Sequence, residues 1–272
     1  MCNSRRNELP RFVASVSRSL AHLGRAAFRF VFPPSCPRCH VDVEPQALDS
    51  AGPLISPLLC RRCAGDVLPP PGNRCRRCGM PLGPYIPSNS GCVWCCSHQF
   101  HFERVIRLGL YDESMRLACL RIKSSTQAPL AAALANLFWL TERKELTAAA
   151  VDLVVPVPQF LTRRLARPHH SAETISRVLA DRLGRPYRRS LLRKIRFTAD
   201  QSDLTAAERR VNLKDAFTVW PRARSLIGKT VLLVDDILTT GSTANECART
   251  LLRAGAKQVI VAVIAKVPPT SR

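Results

Sequence analysis

The chain has 272 residues, with 41 Lys and Arg against 20 Asp and Glu, so its formal net charge at neutral pH is +21. A field of this size attracts polyanions such as nucleic acid or phosphorylated ligands, although a basic surface also serves solubility alone. No stretch approaches the roughly 20 uninterrupted apolar residues that a membrane-spanning helix needs, so no transmembrane segment is predicted.

Residues 1–34 are predicted to form a basic amphipathic helix. Apolar side chains recur at helical spacing between Phe12 and Val31, arginines occupy other positions, and Pro33 and Pro34 end the pattern. Basic side chains interrupt the apolar run and no cleavage pattern follows, which argues against a signal peptide. We therefore expect a cytoplasmic protein whose helix packs on its own domain, with a membrane surface or a partner protein as the alternative.

The twelve cysteines lie in the first half of the chain, with Cys247 as the exception. Residues 35–100 are rich in Pro, Gly and Arg and lack a periodic apolar pattern, which is typical of a loop-dominated module held by metal. Four pairs have a two-residue gap: Cys36 with Cys39, Cys60 with Cys63, Cys75 with Cys78, and Cys92 with Cys95. In a reducing compartment such pairs indicate zinc more often than disulfides.

Pairing neighbours in sequence predicts two zinc ribbons. The ions are expected to be structural, because four thiolates leave no coordination position for water. The sequence leaves open an interleaved arrangement, Cys96 in place of Cys95, and His40 or His98 as substitute ligands. The arginines between the pairs are either nucleic-acid contacts or solvated surface.

Residues 101–272 are predicted to form one α/β domain. Strands are expected at 102–110, 151–157, 230–234 and 258–265, and helices at 113–120, 129–150, 171–183 and 245–254. The alternation of aliphatic strands with helices predicts a doubly wound parallel sheet.

Residues 231–243 carry the most informative motif. An aliphatic strand ends in Asp235 and Asp236, and a short loop with Gly241 leads into a helix. Gly241 permits a tight turn, and backbone N–H groups at a helix start favour an anionic phosphate. Hydroxyl residues around the glycine supply further donors: Thr239, Thr240, Ser242 and Thr243. The two carboxylates suit ribose hydroxyls, or Mg²⁺ shared with a pyrophosphate.

This segment resembles the phosphoribosyl pyrophosphate signature of type I phosphoribosyltransferases, in which aliphatic residues precede two acids and a Thr-Gly-Thr-like loop. The resemblance implies the type I phosphoribosyltransferase fold. It also implies that residues 239–243 grip the 5′-phosphate, and that Asp235 and Asp236 contact the ribose 2′ and 3′ hydroxyls.

Further motifs make the chain similar to the ComF family of competence-associated, phosphoribosyltransferase-like proteins. These are the cysteine pairs, Val-Pro-Val-Pro at 155–158, Gln201, and the stretch 207–213 before Ala216 and Phe217. The resemblance spans about residues 36–267 and implies that the end of the Val-Pro-Val-Pro strand approaches the pyrophosphate. The candidates for this contact are Val157, Pro158, Gln159, Arg163 and Arg164, although both arginines fit plain surface charge equally well.

The chain departs from the family pattern in two places. Residues 167–172, Arg-Pro-His-His-Ser-Ala, replace Arg-Gly-Phe-Asn-Gln, and residues 121–125, Arg-Ile-Lys-Ser-Ser, replace Lys-Phe-Arg-Gly-Asp. Both flank the expected pyrophosphate and acceptor region, so they bear on catalysis more than on phosphate binding. His169 and His170 are candidate donors or bases, or loop histidines without a role.

The leading expectation is an enzyme that binds phosphoribosyl pyrophosphate with Mg²⁺ and transfers the phosphoribosyl group to a nitrogen acceptor. Residues 196–212 are polar and are predicted to form a mobile lid. The first rival is a non-catalytic protein of DNA uptake that binds single-stranded DNA, with other competence or DNA-uptake proteins as partners. The second rival, a regulator that senses phosphoribosyl pyrophosphate and binds duplex DNA, lacks a helix-turn-helix signal.

Overall fold

The computed structural model describes residues 35–43, 58–70, 72–87, 91–160, 170–196, 212–220 and 226–268. The predicted N-terminal helix and nearly all of the predicted lid lie outside these ranges, as do Arg163, Arg164, His169 and Gln201. Within the described part of the chain, no helix has both the length and the apolar character that crossing a bilayer requires.

The described strands are β1 (Arg104–Leu110), β2 (Leu153–Pro156), β3 (Leu192–Lys194), β4 (Phe217–Val219), β5 (Thr230–Leu238) and β6 (Gln258–Lys266). Four of them form a parallel sheet in the order β1-β6-β5-β2. The central strands β5 and β6 are runs of Val, Ile and Leu, as expected for parallel strands covered on both faces. The predicted parallel sheet is therefore confirmed.

The described helices are α1 (Arg61–Val67), α2 (Glu113–Arg121), α3 (Ala128–Ala148), α4 (Ser171–Leu183) and α5 (Ser242–Arg253), with a 3-10 turn at Ser125–Gln127. Leu232 and Val234 of β5 pack in the core that α2, α3 and α4 cover. Val231 and Leu233, which point to the opposite face, pack in the core that α5 covers. Helices on both faces make the sheet doubly wound.

The short strands β3 and β4 form an antiparallel pair beside the sheet. Leu192 and Phe217 anchor this pair in the core under α5. Arg193 and Lys194 in β3 are charged, so the segment has no apolar alternation that would have marked it as a strand.

Both halves of the cysteine-rich region are hydrogen-bonded to the α/β domain. The N–H of Val105 in β1 donates to the carbonyl of Arg76, at 2.9 Å, so the second half of this region continues the edge of the sheet. In the first half, the Arg121 guanidinium at the end of α2 donates to the carbonyls of Pro37 and Arg38, at 3.2 and 2.8 Å. The two halves are thus joined to different elements of the domain.

Candidate phosphate site and metal centres

The loop after β5 has the backbone that an anion cup needs. Gly241 adopts a left-handed conformation (φ 82°, ψ 3°) and stands directly before α5. Its carbonyl accepts the first helical hydrogen bond, from the N–H of Asn245 at 2.8 Å. Because the first turn of a helix has N–H groups without carbonyl partners inside the helix, this end attracts negative charge. The first turn of α5 contains no acidic residue that would compete with an anion.

Two contacts hold the loop in place. The hydroxyls of Thr240 and Ser242 are hydrogen-bonded to each other at 2.9 Å. The Lys266 ammonium at the end of β6 donates to the carbonyl of Thr239, at 2.6 Å, and to that of Val267, at 2.8 Å. Burial lowers the pKa of Lys266, which is only 7% exposed. A buried lysine therefore fixes the loop that follows the neighbouring strand.

Asp235 and Asp236 lie inside β5, which continues to Leu238 and so is longer than the strand expected at 230–234. They point to opposite faces of the sheet, because successive side chains of a strand alternate. Asp235 is on the α5 side with Val231 and Leu233, and Asp236 is on the side of Leu232 and Val234. Although adjacent in sequence, the two carboxylates have different surroundings.

Asp235 is held in a poorly hydrated position. Its carboxylate accepts from the N–H of Asp236 at 2.9 Å, and some of the residue's surface remains exposed. Desolvation, and then the charge of Asp236, raise the pKa of Asp235 well above its usual value. The same carboxylate helps burial to raise the pKa of the Cys247 thiol of α5. A ligand with a divalent cation or hydroxyl donors would compensate this unfavourable charge.

Asp236 is positioned by α4. The Ser171 hydroxyl, in the first residue of that helix, donates to the Asp236 carboxylate at 2.7 Å. Burial and the charge of Asp236 raise the pKa of the Cys119 thiol of α2 to about 12. The positive charge of Lys123, just after α2, opposes these shifts and lowers the pKa of both Asp235 and Cys119.

The predicted pyrophosphate segment lies beside the acid pair. Pro156 of β2 pairs with Val234, and the N–H of Val157 donates to the Val234 carbonyl at 2.8 Å. Residues 157–159 therefore follow the strand next to β5 at the same edge of the sheet. The Gln159 side-chain oxygen is buried and has no hydrogen-bond partner within the described part of the chain.

A cavity of about 480 Å³ lies between the loop at residues 239–243, which we call the phosphate loop, and the part of the cysteine-rich region that contains Cys78 and Cys95. Thr239, Gly241 and Lys266 line one side. Aromatic side chains line the other: Trp94, His98, Phe100 and Phe102. The rings of Phe100 and Phe102 are stacked, with centroids 4.6 Å apart. Such a lining suits a flat, weakly polar ring.

The eight paired cysteines form two groups of four whose sulfurs lie within 4.8 Å of one another: Cys36, Cys39, Cys60 and Cys63, and Cys75, Cys78, Cys92 and Cys95. Each group joins pairs that are neighbours in sequence. Sulfurs of different pairs lie 3.6 Å apart (Cys39 and Cys60) and 3.5 Å apart (Cys78 and Cys92). A tetrahedral site with Zn–S bonds of about 2.3 Å has S···S edges of about 3.8 Å, whereas a disulfide needs about 2.05 Å. Both groups thus fit zinc.

Neighbouring residues that compete for the metal are placed elsewhere. Cys95 is buried in the second cluster, whereas Cys96 is exposed and donates to the Val93 carbonyl at 3.5 Å. His40 is exposed, and the His98 ring stacks near Phe100.

Several residues of the site were not singled out from the sequence. Ser171, Lys266, Phe100 and Phe102 are far from the motif in the chain and approach it only through the fold. The departure from the family pattern at 121–125 pointed to the region of Lys123 but not to its role. The local sequence offers one indication of Lys266, which is its position directly after the strand expected at 258–265.

Comparison with known proteins agrees with this geometry. A family model for the phosphoribosyl transferase domain matches residues 168–271. The chain is 29% identical over 206 residues to Competence protein F of Haemophilus influenzae, covering 75% of this chain and 88% of that protein. It is 32% identical over 191 residues to DNA utilization protein YhgH of Salmonella typhi, covering 69% and 81%.

A solved structure of phosphoribosylpyrophosphate synthetase from Mycobacterium smegmatis is a more distant match. It is 23% identical, with a TM-score of 0.30 over 47% of this chain and 32% of that one.

The parallel sheet, the loop after β5 and the matched domain define a phosphoribosyltransferase-like protein of the type I fold. Two clusters of four cysteines that fit zinc precede this domain. The chain belongs to the ComF family, to which its similarity extends over most of its length.

Proposed function

We propose that this protein binds phosphoribosyl pyrophosphate with Mg²⁺ and transfers the phosphoribosyl group to a nitrogen acceptor. The observation that carries the proposal is the left-handed Gly241 directly before α5, in a short loop that follows a strand bearing two adjacent carboxylates. In the reaction, the bond from ribose C1 to the pyrophosphate oxygen breaks and a C1–N bond forms. Pyrophosphate leaves, and the acceptor nitrogen loses its proton.

Each part of the site has a role in this proposal. Residues 239–243 hold the 5′-phosphate, and Asp235 and Asp236 hold the ribose hydroxyls. Residues 157–159 face the pyrophosphate, with Lys123 as a nearby cation and with Arg163 and Arg164 as the remaining candidates. Positioning the leaving group and neutralising its charge supply most of the rate enhancement in such a displacement.

The acid pair also fits Mg²⁺, because carboxylate oxygens are ligands that this ion prefers. Bound beside the pyrophosphate, Mg²⁺ would neutralise the charge of the leaving group. The raised pKa of Asp235 is consistent with a site completed by a cation.

We assign the acceptor to the cavity between the loop and the second cysteine cluster. Its aromatic lining favours a heteroaromatic ring over an aliphatic amine. The second metal module then contributes directly to the transferase site, because Trp94 and His98 belong to it.

Calorimetric titration with phosphoribosyl pyrophosphate and Mg²⁺ tests the binding step. We expect the Asp235→Asn, Asp236→Asn double variant to bind at least ten-fold more weakly than the wild type, since charge-assisted hydrogen bonds contribute about 1.5–3 kcal/mol each. Asp181→Asn, an exposed position on α4, is the matched control and should bind normally. Equal affinity in the wild type and the double variant would remove the assignment.

Pyrophosphate release tests the transfer step. The wild type is incubated with phosphoribosyl pyrophosphate, Mg²⁺ and mixtures of nucleobases and other heteroaromatic nitrogen compounds. Release above the rate without acceptor, absent in the double variant, supports the enzyme. Binding without release from any mixture supports a non-catalytic phosphoribosyl pyrophosphate protein.

A second candidate function is binding of single-stranded nucleic acid. It is favoured by the formal charge of +21 and by the exposed aromatic residues Tyr85 and Trp94 of the second cysteine module. An oligonucleotide whose affinity falls steeply with salt concentration would support it.

A further inference from the structure

A second pocket, which has a charged lining, lies at the junction between the second cysteine module and the α/β domain. Its volume is about 300 Å³, and Arg74, Arg76, Arg104 and Glu145 supply its charged lining. Arg104 begins β1 and pairs with Ile260 near the start of β6. The phosphate loop follows β5 at the opposite, carboxyl end of the same parallel sheet, about 20 Å away along the strands. This arginine pocket is therefore separate from the phosphate loop.

The arginine pocket has an excess of positive charge. Glu145 is shared by Arg104 at 3.3 Å and Arg76 at 3.9 Å, and both bonds go to the same carboxylate oxygen. Arg74 is paired with Glu142, where α3 is kinked. A fourth arginine, Arg107, does not line the pocket, and its Nε–H donates to the carbonyl of Gly79. The three arginines that line the pocket share Glu142 and Glu145, which leaves one positive charge uncompensated, and Arg107 adds a further positive charge close to Arg74.

Two of these guanidinium groups also have unused donors. The Nε of Arg104 and an Nη of Arg107 are buried without a hydrogen-bond partner in the part of the chain that the structure describes. The two residues are 7% and 5% exposed. A buried charged donor without a partner is costly, and oxygen atoms of an anion in the pocket would satisfy the one on Arg104, which lines it.

The loop at residues 82–86 carries an aromatic side chain and is hydrogen-bonded to a residue of the arginine pocket. Asn73, which lines the pocket, donates from its side-chain amide to the carbonyl of Ile86 at 2.6 Å, and its own carbonyl accepts from Leu82. These bonds fix the loop that carries Tyr85, which is 96% exposed. A tyrosine presented so fully to solvent buries no ring surface in the protein, and its face is available for stacking.

We infer that the arginine pocket binds a backbone phosphate of a single-stranded nucleic acid, with Tyr85 stacking on an adjacent base. Phosphate contacts by arginines together with base stacking on an exposed ring are the combination by which proteins hold single strands. The inference rests on the second candidate function and is independent of phosphoribosyl pyrophosphate. It places the bound nucleic acid at the end of the sheet where β1 begins, away from the phosphate loop.

Fluorescence anisotropy with a labelled oligo-dT tests this inference over a range of salt concentrations. Arg76→Gln should weaken binding and reduce the slope of log K against log salt by about 0.7, the contribution of one phosphate contact. Tyr85→Ala should weaken binding about five-fold or more. Glu145→Gln should strengthen binding, a gain that misfolding does not produce. Arg116→Gln, an exposed arginine on α2, is the matched control.

The outcomes separate the pocket from the functions. No binding by the wild type would overturn both the second candidate function and this inference. Wild-type binding that Arg76→Gln and Tyr85→Ala reduce no more than Arg116→Gln would overturn only the pocket. Inorganic phosphate could displace the oligonucleotide more than an ionic-strength control does, while Tyr85→Ala has no effect. That result would assign the pocket to a free phosphate and overturn its assignment to a single-stranded nucleic acid. The Asp235→Asn, Asp236→Asn variant should bind the oligonucleotide normally.

Discussion

The two aspartates at the end of β5 differ in the cost of their charges. Asp235 is desolvated and lies beside Asp236, whereas Asp236 has a hydroxyl donor in Ser171. A raised pKa in the folded state means that the native protein binds more protons than the unfolded chain above the usual Asp pKa of 3.8. Stability contributed by this group is therefore present at low pH and is lost as pH rises.

We predict that Asp235→Asn raises the thermal midpoint of the ligand-free protein at pH 7 while weakening phosphoribosyl pyrophosphate binding. Asparagine carries no charge to bury, so the gain should shrink towards pH 4, where the wild-type aspartate becomes protonated. Each kcal/mol corresponds to about 2–4 °C for a chain of this size. Calorimetry at both pH values measures the difference, and an equal midpoint at pH 7 would contradict the prediction.

Glu173 at the start of α4 shows the opposite linkage. Burial alone would raise its pKa, but bonds from His170 and Arg189 outweigh it and lower the pKa of Glu173 to about 2 from 4.5. Its stabilisation is thus complete above pH 4.5 and disappears as pH falls towards 2.

Replacing the Glu173 carboxylate should destabilise the protein only at pH values at which this carboxylate is charged. We expect Glu173→Gln to lower the free energy of unfolding at pH 7 by about 1 kcal/mol or less, since Arg189 is partly exposed and solvent screens the pair. Urea denaturation at pH 7 and near pH 3 checks this, and the loss should be smaller at the lower pH. A constant difference between the two conditions would exclude the linkage.

At the scale of elements, the sequence predicts what depends on local pattern. The aliphatic run before Asp235 predicts β5, and apolar spacing predicts α3 and α4 within a few residues of their bounds. Helix α1 and strands β3 and β4 are too short, at seven and three residues, to produce a periodic signal. Their formation depends on cysteine clustering and on the core under α5.

The candidate site divides in the same way. The loop and the acid pair are contiguous in sequence, so the motif alone identifies them. Ser171, Lys266 and the Phe100–Phe102 stack meet the motif across long sequence separations. Joining neighbouring pairs in sequence predicts the two cysteine groups, and the structure confirms both. The identical two-residue gaps alone left an interleaved arrangement open, which the positions of the sulfurs decide.

The left-handed conformation of Gly241 sets the geometry of the proposed phosphate loop. A Cβ at this position would make only ordinary contacts with Phe100 and Phe102, at 3.5 Å or more, so its φ of 82° is the constraint. We expect Gly241→Ala to cost about 1–2 kcal/mol of stability and to weaken phosphoribosyl pyrophosphate binding.

Gly65 within α1 is the matched control for this substitution. It has open space around its Cα, and alanine is the better helix former, so Gly65→Ala should be neutral or stabilising. Urea denaturation and calorimetric titration of both variants provide the comparison. Equal effects of the two substitutions would show that the loop tolerates other conformations.

For the whole molecule, the cysteine clusters are expected to set how many metal ions each chain binds. We predict two zinc ions in the wild type and in Cys96→Ser, but only one in Cys95→Ser, because Cys95 lies among the other three sulfurs and Cys96 does not. Metal analysis of the purified proteins gives the stoichiometry. Loss of an ion from Cys96→Ser with two retained in Cys95→Ser would reverse the ligand assignment.

The hydrogen bonds from Arg121 to Pro37 and Arg38 connect the end of α2 to the turn that carries Cys36 and Cys39. Arg121 is two residues from Lys123, whose positive charge lowers the pKa of Asp235. A chain made while zinc is scarce would lack the rigid turn that Arg121 holds, and the end of α2 would keep its buried Ile122 but lose these two hydrogen bonds. Zinc supply during synthesis would then affect the segment that carries Lys123, although the first cysteine cluster and the loop after β5 are separate parts of the molecule.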